Sequence, residues 1–141
     1  MMSSDRFDEG LKLRRQVLGD AYVDRSLADA KDDDFVGPLQ ELVTELAWGS
    51  IWTRGELDLK TRSIMNLAML TALNRPHEFE THLRGAIRNG VTKAQVREIL
   101  LHTSAYCGWP AAIDSFRIAR RMFKEMEAEG SGGSEATPEA H

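Results

Sequence analysis

Residues 58–90 read DLKTRSIMNLAMLTALNRPHEFETHLRGAIRNG, and the way this stretch folds decides the class of the whole chain. Asp58 stands where a helix N-cap would. After it Ile64, Met65, Leu67, Ala68, Met69, Leu70, Ala72 and Leu73 follow no two-residue alternation, so the spacing predicts a helix to about Asn74. Pro76 then suits the first turn of a second helix, on which Phe79, His82, Leu83, Ala86 and Ile87 share one face before Gly90 ends it. The first of these helices is apolar nearly all round and must be covered on every side. One core in a chain of 141 residues can hardly do that, so neighbouring subunits are expected to.

Outward from this pair the same pattern continues. Thr92 with Gln95 fits a capping box for a helix that turns Val96, Ile99, Leu100 and Thr103 inward, and Gly108 and Pro110 break it. A further helix from Pro110 to about Glu129 places Ile113, Phe116, Ala119, Phe123 and Met126 on its apolar face. Upstream, Pro38 is tolerable in the first turn of a helix from about Asp34 to Trp52, whose stripe is Leu39, Leu42, Val43 and Leu46. Phe7, Leu11 and Leu18 space out a first amphipathic helix that stops at Gly19, and the polar segment Tyr22 to Asp34 reads as a connecting loop. The fold expected is all-α: about six helices in one domain over residues 1–129, followed by a disordered Gly-, Ser- and Glu-rich tail over 130–141.

Composition narrows the function. Apolar residues at 42% and charged residues at 28% are the balance of a globular domain. No run approaches the ~18 apolar residues that cross a bilayer, and the N-terminus has no basic-then-apolar signal, so a cytoplasmic protein without a membrane partner is expected. A formal net charge of −4 with interspersed signs leaves no broad cationic face for nucleic acid. Cys107 is the single cysteine and four histidines are scattered, which excludes an internal disulfide and gives no structural metal spacing.

Few residues remain for chemistry. His82 sits on the inward face of its helix with Glu78 one turn earlier. A core histidine bonded to a carbonyl and a catalytic one oriented by a carboxylate fit this spacing about equally. Arg62, in the first turn of its helix, opposes the helix dipole. It is either a solvated partner of Asp58 or, with the free N–H groups there, a carboxylate-binding group. His102, with Tyr106, Cys107 and Trp109 after it, could close a pocket or simply end a helix. Trp48 and Trp52, at i and i+4, are expected to pack against other helices or subunits.

The succession of Ala47-Trp48-Gly49, Thr61-Arg62-Ser63, His82-Leu83-Arg84-Gly85-Ala86, Asn89-Gly90-Val91-Thr92 and Leu100-Leu101-His102, with Leu18-Gly19 and Asp24-Arg25-Ser26-Leu27 near the start, resembles the carboxymuconolactone decarboxylase and alkyl hydroperoxidase D-like family over about Phe7 to Glu127. The redox branch of that family carries a C-x-x-C pair with a histidine four residues on. Set on His82, the cysteine positions fall on Arg75 and Glu78, which disfavours thiol chemistry. The resemblance implies an oligomer, often a hexamer, of the alkyl hydroperoxidase D-like type. It also implies cofactor-free decarboxylation of a small acidic lactone, 4-carboxymuconolactone, to 4-oxoadipate enol-lactone and CO2 in protocatechuate (β-ketoadipate) catabolism. On that reading His82, Glu78 and His102 are the catalytic candidates, with His82 the preferred proton donor. Arg62, Arg75 and Tyr106 are the substrate-binding candidates, and no metal is needed. The alternatives are a peroxidase-like member using Cys107 and a helical oligomer that only binds a small acid.

Overall fold

A computed structural model describes residues 4–134, and among these every regular element is helical. The order is α1 (Asp5–Leu18), α2 (Asp20–Ala30), α3 (Gly37–Leu42), a π-helical segment (Val43–Ile51), α4 (Leu59–Ala72), α5 (Pro76–Arg88), α6 (Lys93–Cys107) and α7 (Trp109–Ser134). The chain forms two compact units. The first takes the chain up to Met65 together with Arg84–Val91, and the second takes Asn66–Leu83 and the chain from Thr92 onward.

The first unit is organised by a close crossing of α1 and the π-helical segment. A methyl group on Gly10 would strike the Thr44 carbonyl and lie 2.6 Å from the Gly49 nitrogen, and one on Gly49 would strike the Arg6 carbonyl. Only the absence of both side chains lets the two backbones approach this closely. Around the crossing Val17, Leu18, Val23, Trp48 and Trp52 are buried, the two indoles stacked with ring centroids 4.6 Å apart. The tryptophans thus pack on each other within the chain. The buried Arg14 crosses from α1 to give hydrogen bonds to Thr44 Oγ1 (3.1 Å) and Gln40 Oε1 (2.9 Å).

Three features of this unit depart from the sequence reading. Residues 20–30 are a helix, not a connecting loop. Val23, Leu27 and Ala30 recur at i, i+4 and i+7, and Val23 and Ala30 are buried, so three inward residues outweigh the charged ones between them. The next helix begins at Gly37 and changes register at Val43, where Trp52 N–H bonds the Ala47 carbonyl five residues back. Thr44, Ser50 and Thr53 hydroxyls bond back to the Gln40, Glu45 and Gly49 carbonyls, competing with the α-helical ladder. The stripe Leu39, Leu42 and Leu46 faces outward, because Thr44, Trp48 and Gly49 take the inward face against α1.

In the second unit Leu67, Phe79, Leu83, Val96, Leu100, Ala112, Ala119 and Met122 are buried. The Thr71 and Ser115 hydroxyls share a hydrogen bond of 2.8 Å, and Arg121 pairs with Glu80 at 3.1 Å. The capping box of Thr92 and Gln95 forms in both directions, and Gly108 (φ +102°) ends α6 as its position suggests. α7 continues five residues past the expected end at Glu129, to Ser134. Extending a formed helix adds a bond for each residue fixed, and no proline intervenes before Pro138. The rest of the expected tail, 135–141, lies outside the described residues. No helix among the described residues is long and apolar enough to cross a membrane.

Candidate active site

In the second unit, α5 is anchored by the buried Phe79 and Leu83, and this anchoring turns the intervening His82 inward. The His82 side chain is 13% exposed, whereas Glu78, one turn earlier, is 56% exposed. The His82 Nε2 and Glu78 Oε2 atoms stand 3.9 Å apart, an ion-pair distance that a small side-chain rotation would shorten to a hydrogen bond. On the other side of the ring, the Asn66 Nδ2 lies 3.3 Å from Nδ1. Burial pushes the His82 pKa below the usual 6.5, and the nearby Glu78 carboxylate only partly opposes this. The ring is therefore neutral at neutral pH in the free protein.

Asn66 was absent from the candidates drawn from sequence. Its signal was there: it is the lone polar residue between Ile64 and Leu70. A half-buried amide in such a run is best satisfied by a polar partner, and His82 is one.

Other candidates fall elsewhere. Arg62, in the first unit, does not use Asp58 as its partner in the way its i−4 spacing suggested. Its Nη2 donates to the Arg54 carbonyl at 3.0 Å and its Nε is buried with no hydrogen-bond partner, while Asp58 accepts the Thr61 N–H at 2.7 Å as the N-cap of α4. Hydrogen bonds from Thr61 hold the Asp58 carboxyl below its ordinary range. Arg75 is exposed just before α5, its carbonyl bonded by the Phe79 N–H. His102 is exposed, at the flank of the inward face of α6 that Thr103 and Ser104 take. Its ring lies 5.0 Å from that of Tyr106, which is 80% exposed, and Cys107 beside them is exposed too.

A separate cleft of about 830 Å³ runs between α6 and α7, floored by Val96, Leu100, Phe116 and Phe123 and rimmed by Lys93 and Arg120. None of the candidate site residues lines it. Among the described residues, no three His, Cys, Asp or Glu gather as a metal site would require.

A largely buried neutral imidazole between an amide and a carboxylate is equipped to pass one proton to or from a small molecule. Residues 37–121 match the model of the carboxymuconolactone decarboxylase family. The chain belongs to that family. It is 42% identical over 124 residues to a nitrosuccinic acid decarboxylase of Metarhizium robertsii, covering 88% of this chain and 85% of the relative. It is 39% identical over 126 residues to a 4-carboxymuconolactone decarboxylase of Acinetobacter baylyi, covering 89% and 92%. A 4-carboxymuconolactone decarboxylase sequence from Pseudomonas putida is 49% identical over 49 residues, 35% of this chain and 98% of the relative. Within the family the chain is a carboxy-lyase, and the redox alternative built on Cys107 is not favoured by relatives that are decarboxylases.

Proposed function

We propose that the chain decarboxylates 4-carboxymuconolactone to 4-oxoadipate enol-lactone without a cofactor, as a step in protocatechuate breakdown. The observation that carries the reading is the largely buried His82 with the exposed Glu78 carboxylate at ion-pair distance, in a chain similar over most of its length to a 4-carboxymuconolactone decarboxylase. In this substrate one ring carbon bears the leaving carboxylate and an acetate arm. As CO2 departs, the bonding electrons pass through the ring double bond to the lactone carbonyl, so the substrate is its own electron sink. The protein has to hold the arm, steady the developing oxyanion and return a proton to the ring carbon beside the carbonyl.

His82 is the proposed proton donor. Its ring is neutral in the free protein, and a dianionic substrate beside it would favour the imidazolium, so the acid is charged when substrate arrives. Glu78 steadies that charge. Arg62 and Arg75 are proposed to hold substrate carboxylates, for which the planar guanidinium fork is suited. The buried Nε of Arg62, with no hydrogen-bond partner, supports its part. His102 and Tyr106 are the reserve donors to the lactone oxygen. Assembly into a homo-oligomer is proposed as well, supported by the outward Met65 and Met69 of α4, Leu73 just after it, and Leu39, Leu42 and Leu46.

The likeness to a nitrosuccinic acid decarboxylase supports a second substrate reading. Nitrosuccinate also carries a leaving carboxylate and a carboxymethyl arm on one carbon, with a nitro group as the sink in place of the conjugated lactone. The deciding experiment offers each compound to the purified protein and follows CO2 release together with substrate absorbance. Turnover of the lactone with a kcat/KM well above that for nitrosuccinate is expected. The reverse preference would transfer the assignment to nitrosuccinate, and CO2 from neither would overturn both.

A further inference from the structure

We propose that Asn66 is a positioning residue that holds the His82 ring by its Nδ1, so that Nε2, on the Glu78 side, carries the proton exchanged in the reaction. This rests on the reading of His82 as proton donor, and it adds a residue on a different helix to that site.

The geometry comes first. Asn66 lies on α4 between Met65 and the buried Leu67, in a run where every other residue from Ile64 to Leu70 is apolar. A leucine there would suit the helix better, and an amide half out of water is costly unless it is bonded. The bond it makes is to the Nδ1 of His82 at 3.3 Å. In a neutral imidazole one nitrogen donates and the other accepts. With the Asn66 amide N–H as donor, Nδ1 is the acceptor and Nε2 holds the proton. The nearest carboxylate oxygen, Glu78 Oε2 at 3.9 Å from Nε2, is acceptor-only and favours the same arrangement. The two neighbours therefore agree, one from each side of a ring that little water reaches.

The agreement has a chemical use. When substrate charges the ring and Nδ1 gains a proton, the Asn66 amide can turn its Oδ1 to accept it, so the ring stays held at Nδ1 while Nε2 presents its proton to the substrate carbon, the alignment that general acid catalysis requires. Loss of Asn66 would leave Nδ1 without this donor and let the ring turn, although Glu78 and the fold stay in place.

The test is ¹⁵N NMR of the histidine rings in the full chain, with the His82 signals assigned by their loss in His82→Gln. At a pH where the ring is neutral, the Nδ1 of His82 should resonate as a hydrogen-bonded acceptor and Nε2 as protonated. Asn66→Asp places a second acceptor at Nδ1 and should draw a proton there, raising the titration midpoint. Asn66→Leu, which suits the apolar helix, should leave the chain folded but with mixed tautomers. In the decarboxylation assay Asn66→Leu should lower kcat about tenfold, part of the ~10² that general acid catalysis supplies, with a smaller change in KM. Asn66→Thr, which restores a donor, should recover most of that loss. A wild-type ring protonated on Nδ1, or a His82 spectrum unmoved in both variants, would overturn the inference. The NMR needs no substrate. Ring signals as expected together with a His82→Gln enzyme of normal turnover would instead sink the reading of His82 as donor while leaving the Asn66 contact standing.

Discussion

The crossing at Gly10 and Gly49 and the niche around His82 use burial in opposite ways. At the crossing two side chains are absent, and the backbone of α1 rests directly on the π-helical segment, with stacked tryptophans and a hydrogen-bonded Arg14 in the same unit. The close packing there serves the folded chain. At His82 burial removes an ionisable ring from water, beside the Asn66 amide and with the Glu78 carboxylate at ion-pair distance, and this burial lowers its affinity for a proton. That placement works against stability in acid, and it is the kind of local expense that marks sites of chemistry. The two regions should therefore fail differently: one through loss of the fold, the other through loss of rate.

The largest effect should come from the crossing. Gly49→Ala forces a methyl group into the Arg6 backbone, where no flexible side chain can give way. Destabilisation of about 3 kcal/mol, a fall in Tm of roughly 10 °C, is expected from calorimetry. Gly55→Ala is the control, since nothing lies within 4 Å of a methyl group there, and its Tm should stay near wild type. Equal Tm for both variants would show that the crossing is looser than described.

Much of this contrast is invisible to periodicity. The helices α4 to α6 were legible because Asp58, Pro76, Gly90 and the Thr92–Gln95 box punctuate them, and the inward aspect of His82 followed from Phe79 and Leu83. The crossing was not legible. A glycine inside a helix adds nothing to an apolar stripe, so Gly10 and Gly49 leave no mark on the pattern they organise. Of the stripe Leu39, Leu42, Val43 and Leu46, Val43 packs on the core and the three leucines face outward, because spacing defines a face and does not say what covers it. α2 is masked by Asp32, Asp33 and Asp34, which follow it and make the stretch from Tyr22 polar as a whole, and Asn66 is masked because an apolar pattern does not register the polar residue inside it.

The next largest effect belongs to the niche. His82→Gln keeps much of the volume and polarity, so the chain should fold while turnover falls about 10²-fold or more, measured as kcat in the decarboxylation assay. Substrate affinity should change far less. A variant of lowered Tm but nearly normal turnover would make His82 a core residue and bring His102 forward. Arg62→Lys should do less still. It keeps the charge and loses the fork, so KM should rise about tenfold, the scale of one charge-assisted hydrogen bond, with kcat little altered. A fall confined to kcat would place Arg62 in the chemical step instead.

The smallest effect is also the one that separates the two regions without any substrate. The folded His82 binds its proton less readily than the same ring in the unfolded chain, whose pKa is near 6.5. Between those two values the unfolded state holds more protons, so stability rises with pH across that interval. The stability associated with the neutral ring is complete above about pH 6.5 and is lost as pH falls through the lower, folded value. One group can contribute a slope of no more than about 1.4 kcal/mol per pH unit, and other groups titrate nearby, so the absolute curve is not diagnostic. The difference between wild type and His82→Gln is. Denaturant unfolding of both from pH 8 to pH 5.5 should show wild type losing stability relative to the variant only in the acid part of the range. Gly49→Ala, by contrast, should be displaced from wild type by the same amount at every pH, because packing of backbone on backbone binds no proton. A His82→Gln curve that runs parallel to wild type throughout would mean that the ring is wetter than its surroundings imply, and the contrast between the two regions would lose its electrostatic half.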